Sequence, residues 1–132
     1  MPPPQPEDTE MAEHRIRSTF LWKQHALSGT AGATLDSDPI DMRDGGKTLS
    51  VSYNVGTSGG VATCGSVNFS YLGSPVYDGT YVSPTNGTFA TVGDAGGSDI
   101  VAITPPVMPF MKLRAEVGTS GTALITAALH TR

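Results

Sequence analysis

Lysine and arginine are missing from the whole middle of this chain. From Thr48 to Met111 there is neither, and the only acids in that stretch are Asp78, Asp94 and Asp99. Charged residues make up 15% of the 132 residues, against about a quarter in a typical domain. The net charge is −4, and the eight basic residues are scattered. A phosphate backbone is held by clustered Lys and Arg, so nucleic acid is excluded as a main partner. Cysteine occurs once, at Cys64, which rules out an intrachain disulfide and suits a small buried hydrophobe. No apolar run approaches the ~20 residues of a membrane-spanning helix. Nor does a signal-peptide core follow the N-terminus, so folding in a cytoplasm and no membrane partner are expected. The Leu, Ala, Glu and Lys richness of a helical bundle is absent as well.

What the chain has instead is glycine, proline and alternation. There are 16 Gly and 10 Pro, with 38% hydrophobic residues. Leu49, Val51, Tyr53 and Val55 alternate with Ser50, Ser52 and Asn54, and Val67, Phe69 and Tyr71 with Asn68 and Ser70. Met111, Leu113, Ala115 and Val117 alternate with Lys112, Arg114 and Glu116. A strand points successive side chains to opposite faces, so this period of two predicts half-buried sheet. Turn signals such as Asp44-Gly45-Gly46, Asp78-Gly79 and Asn86-Gly87 separate short strands at roughly ten-residue spacing. The expectation is all-β: one antiparallel β-sandwich, jelly-roll-like, over residues 18–132. Pro39 opens an edge segment through Met42. Ile100–Ile103 reads as a strand buried on both faces. Phe110–Val117 and Thr122–Leu129 read as a closing hairpin through Gly118–Gly121.

Residues 1–17 are different. Pro2-Pro3-Pro4-Gln5-Pro6 favours polyproline II and forbids helix, and Glu7, Asp8, Glu10 and Glu13 follow. Nothing there can build a core, so an extended arm is expected, ordered against a partner if at all. The next stretch, Arg15 to Leu27, is ambiguous: Ala12 to Leu27 admits a short helix, but the β-branched and aromatic Ser18–Trp22 favours a strand. In it Ile16, Ser18, Phe20 and Trp22 alternate. Pro2, Pro3, Pro4, Pro6, Ile16, Phe20 and Trp22 are the candidate partner-binding residues, Trp22 doubling as a core candidate.

Catalytic constellations are absent. His14, His25 and His130 stand at no metal-ligand spacing with one another or with Cys64. Asp36, Asp38, Asp41 and Asp44 cluster, but the pattern lacks the continuation of a calcium loop, and Asp38 and Asp44 suit turns. Gly56–Gly60 and Gly93–Gly97 neither open a helix nor lead to Gly-Lys-Ser/Thr, so no phosphate cradle is expected. Ser66, Ser70 and Ser74 lack a base. Neither catalytic residue, metal nor cofactor is assigned, and an enzyme is not expected.

Three segments carry a resemblance. Ser37-Asp38-Pro39-Ile40-Asp41-Met42, then Thr48–Val55, then Pro109–Val117 with its Gly-Thr-Ser-Gly turn and last strand, are similar in order to small virion proteins of tailed bacteriophages. The similarity covers residues 37–132 and leaves the leader outside. It implies a head decoration (cement) subunit, or a neck or tail accessory subunit, in the virion and assembled in a host cytoplasm. It also implies the major capsid protein and copies of this chain as partners, commonly as trimers, with arms lying on neighbours. The outward Ser and Asn of the strands fit a surface meant to be covered. The alternative is a glycan-binding module, in which exposed aromatics stack on sugars. Tyr71 belongs to the inward set, leaving Tyr77 and Tyr81 as the glycan-contact pair.

Overall fold

The computed structural model describes residues 17–43, 48–57, 64–105 and 108–132. They hold β1 (Arg17–Gly29), β2 (Thr34–Asp36), β3 (Ile40–Asp41), β4 (Leu49–Thr57), β5 (Val67–Ser74), β6 (Thr88–Val92), β7 (Gly97–Ile103), β8 (Phe110–Val117) and β9 (Gly121–Thr131). No helix occurs among the described residues. A front sheet runs β1-β9-β4-β7, and a back sheet runs β2-β8-β5-β6 with β3 also on β8. All named pairings are antiparallel. If β2 and β3 count as one broken edge strand, chain positions 1-8-3-6 face 2-7-4-5, which is the jelly-roll winding. The expected all-β sandwich is therefore the observed fold.

The period-two segments do what their alternation predicts. Val51 and Val55 of β4, and Ala123, Ile125, Ala127 and Leu129 of β9, are buried on the inner side of the front sheet. Val67, Phe69, Tyr71, Met111, Leu113, Ala115 and Val117 answer them from β5 and β8. Four aromatic rings meet between the sheets: Tyr53 lies 4.8 Å from Phe69, and Phe89 lies 6.2 Å from both Phe69 and Tyr71. Cys64 is buried, its thiol donating to the carbonyls of Gly65 and Asp94. A glycine inside the apolar stretch Val61–Leu72 predicts a kink near Gly65, and the bend there lies just before β5. Its φ of +75° is the left-handed region that glycine enters without penalty. A side chain there would meet the Thr119 carbonyl, which closes the corner between β8 and β9.

Three expectations are corrected. β8 and β9 are not a hairpin: β8 lies between β2/β3 and β5, β9 between β1 and β4, and residues 118–120 carry the chain from one sheet to the other. Gly/Thr/Ser turns permit a hairpin or a sheet-crossing corner equally, and only packing selects. β7 is not buried on both faces: it is the edge of the front sheet, with Ile103 buried but Ile100 71% exposed. A short apolar run cannot tell an edge strand from a central one. Thr80–Ser83, a short run between the Asp78-Gly79 and Asn86-Gly87 turn signals that predicts a strand, forms none and contributes only a bridge between Val82 and Gly73. β1 starts at Arg17, so the described part of the ambiguous 15–27 stretch is strand.

Candidate functional site

The two outer faces of the sandwich differ in chemistry. On the back sheet, central β8 presents Lys112, Arg114 and Glu116 outward, and the edge adds Asp36 and Asp41. Arg114 donates to both oxygens of Asp36 at 2.6 and 2.9 Å, which pulls the Asp36 carboxyl below its usual range. Arg43 likewise donates to Asp41 through its guanidinium and its amide, holding that carboxyl down to about 2. Two members of the aspartate cluster are thus ion-pair partners.

The front sheet is the opposite. Its central strands, β9 and β4, contain no charged residue at all. In cross-strand register, Phe20, Ala128, Ser52 and Ile100 form one row over all four strands, with Asn54 beside Thr126 and Ser98 in the next. Phe20 is 61% exposed, with the Lys23 ammonium 4.8 Å from its ring centre. At ~4.8 Å between strands, Phe20 and Ile100 stand ~14 Å apart across the face. The polar groups between them are already tied. His130 lies 2.8 Å from the hydroxyls of both Ser18 and Ser52, the Gln24 backbone N–H donates to Thr126 Oγ1, and Ser98 donates to Asn54 Oδ1. A groove of about 180 Å³ runs among Phe20, Ser52, Asn54, Thr126 and Ala128.

His130 was singled out only as one of three isolated histidines, and the sheet register gives it its role. Both ring nitrogens are taken by hydroxyls, so it bridges β1, β9 and β4. Among the described residues no carboxylate hydrogen-bonds to it, so the Ser52–His130 pair lacks the orienting acid of a nucleophilic triad.

Phe20 and Trp22 part company. Simple alternation puts them on one face, but bulges between Phe20 and Trp22 and again before His25 shift the register. One extra residue reverses facing, so Phe20 pairs with outward Ala128 while Trp22 pairs with inward Ala127. Trp22 is 6% exposed and packs in the core, whereas Phe20 is exposed. Pro2, Pro3, Pro4, Pro6 and Ile16 lie outside the described residues.

Tyr77 and Tyr81 are brought together on the β5–β6 connection. The Tyr81 hydroxyl donates to the Tyr77 carbonyl at 2.6 Å, and the Tyr77 ring meets Phe110 edge-on at 5.7 Å. The Lys112 ammonium sits 4.4 Å over the Tyr81 ring, occupying one stacking face, whereas Tyr77 is 57% exposed. The alternation gives Asn54 as outward, the last strand puts Thr126 and Ala128 on its second face, and Ile100 is expected to be buried; no residue pattern shows that four separate strands assemble them into one surface.

No protein-family model and no curated protein matches this chain. Among solved structures it is similar to a mutant of a family 29 carbohydrate-binding module, at 11% identity and a TM-score of 0.55, covering 89% of this chain and 86% of that one. A chain in the structure of infectious bursal disease virus, Gx strain, gives 12% identity and a TM-score of 0.48 over 88% of this chain and 32% of its own. At 11% identity the first likeness is one of fold: a β-sandwich.

Proposed function

We propose that this protein is a non-enzymatic particle subunit, a capsid decoration protein that docks on a major shell protein through the outer face of its front sheet. The observation that carries this reading is the contrast between the faces. A surface kept in water normally intersperses charges, as the back sheet does. The front sheet instead places exposed Phe20 and Ile100 at the two ends of a neutral row. Four strands with some four outward residues each span on the order of 450 Å². That is about half of the ~800 Å² per partner in a standard interface. Contacts with further copies supply the rest. Burying Phe20 and Ile100 contributes about 1.5–3 kcal/mol each.

The test is binding to particles that lack the protein, read as copies bound per particle. Phe20→Ser with Ile100→Ser weakens binding by about a hundredfold, from ~3 kcal/mol at 1.4 kcal/mol per decade. Lys112→Ala on the back sheet leaves it unchanged. Equal binding of the front-face variant, or loss with Lys112→Ala alone, refutes the assignment. A neck or tail position differs only in the partner, and particle imaging with labelled subunits distinguishes it.

A second reading, a glycan-binding module, draws on the exposed Tyr77 next to Tyr81 and on the likeness to a carbohydrate-binding module. A glycan array with wild type and Tyr77→Ala tests it. Hits that vanish in the variant support it, and an empty array removes it.

A further inference from the structure

We propose that the cleft at the end of the sandwich beside Val82 is the seat of the chain's own proline-rich leader, Pro2–Pro6. The cleft holds about 340 Å³ and is lined by Pro75, Val82, Pro84, Met108, Pro109 and the backbone of Gly73. Val82 is 63% exposed. An apolar cluster of this size on an otherwise polar surface marks a contact site.

Three observations choose the occupant. The first is position. Arg17 pairs with Thr131, Thr131 with Leu49, and Leu49 with Ile103, so β1 starts at the end where β7 stops. From Ile103 the chain passes directly into β8, whose Phe110 pairs with Ser74 beside the cleft. The leader therefore enters the fold at the end that carries the cleft. The second is length: sixteen residues precede Arg17. At ~3.1 Å per residue in polyproline II they reach ~50 Å, more than the breadth of a domain this size.

The third is chemistry. A polyproline segment has little conformational entropy to lose and docks its rings in grooves lined by aromatic and apolar groups. Here the apolar groups are Pro75, Val82, Pro84, Met108 and Pro109. Glu7, Asp8 and Glu10 follow the prolines, while Lys112 stands over Tyr81 and makes no ion pair among the described residues. The acidic half of the leader thus passes a basic flank. In an assembly the same contact can be exchanged with a neighbouring copy, as in domain swapping. The seat itself does not rest on the particle reading, which stands or falls on front-face binding.

The test uses the full chain in dilute solution with methyl-labelled Val and Met. Nuclear Overhauser contacts are expected from the proline rings of residues 2–6 to the Val82 and Met108 methyls. Replacing Pro2, Pro3, Pro4 and Pro6 by Ser abolishes them and shifts those two methyls, while the core methyls of Val51 and Leu129 stay in place. Independently, Val82→Asp raises tryptic cleavage at Arg15 by about tenfold, because the leader is released. Unmoved Val82 and Met108 methyls in the proline variant, or an unchanged cleavage rate in Val82→Asp, overturn the proposal. Contacts found only between differently labelled copies overturn the intramolecular seat.

Discussion

Two phenylalanine truncations, one on each side of the front sheet's neighbourhood, put the assignment of faces to a quantitative test. Phe69 is 1% exposed and lies in the ring cluster with Tyr53 and Phe89. Phe69→Ala removes a buried ring and leaves a cavity that rigid strands on both sides cannot close, at a cost of about 4 kcal/mol. That is a large part of the ~5–15 kcal/mol that holds a domain folded. Phe20→Ala removes the same atoms from an open face. It loses a solvent-exposed cation–π contact with Lys23 and little more, about 0.5–1 kcal/mol.

Urea unfolding followed by far-ultraviolet circular dichroism separates the two. With a slope of ~2 kcal/mol per molar, Phe69→Ala lowers the midpoint by ~2 M and Phe20→Ala by less than ~0.5 M, both with the slope unchanged. Only Phe20→Ala weakens docking once stability is matched. A Phe20→Ala loss above ~2 kcal/mol would mean that the ring is buried, and the front-face reasoning would fail. If Phe69→Ala does not fold, Phe69→Leu provides the comparison at about 1–1.5 kcal/mol.

Other expectations follow from single contacts. Gly65→Ala combines a left-handed φ with a Cβ placed 2.5 Å from the Thr119 carbonyl; it lowers thermal stability by at least ~1–2 kcal/mol, whereas Gly93→Ala, in open space, stays near wild type in calorimetry. Asp36 has its carboxyl pKa lowered by the Arg114 hydrogen bonds, so the folded state binds that proton less readily than the unfolded one. Its contribution is present above the ordinary carboxylate pKa of 3.8 and is lost as pH falls through the lower folded value. Asp36→Asn therefore flattens the acid limb of stability against pH, and the loss at neutral pH stays within the ~0.2–1 kcal/mol of a surface pair. Cys64, buried with its thiol on two carbonyls, reacts with a thiol reagent only at the rate of unfolding, and mass spectrometry after timed labelling reads this directly.

Much of the site's raw material was legible. The outward Ser52 and Asn54 follow from the alternation of Leu49–Val55, and the lack of Lys and Arg between Thr48 and Met111 is a plain fact of the sequence. Phe20 could be singled out as a large aromatic beside small polar residues. Its separation from Trp22 could not, because two bulges in β1, with Gln24 at a φ of 47°, have no signature in residue type. The apolar run Ile100–Ile103 predicts a strand buried on both faces, and Ile100 is instead exposed because nothing in the fold covers the outer face of the front sheet.

The sequence by itself determined that this chain is all-β, and largely which side chains of β4, β5, β8 and β9 point inward. Those follow from local sterics, which alternate side chains and stop strands at glycine and proline turns. Only the tertiary structure decided that β8 and β9 belong to opposite sheets, and that β1, β9, β4 and β7 lie edge to edge. Strand order depends on hydrogen bonds between backbone groups that are alike at nearly every residue, so no local pattern encodes it. The arrangement that buries the most apolar surface selects it, and with it the neutral face that now carries the proposed function.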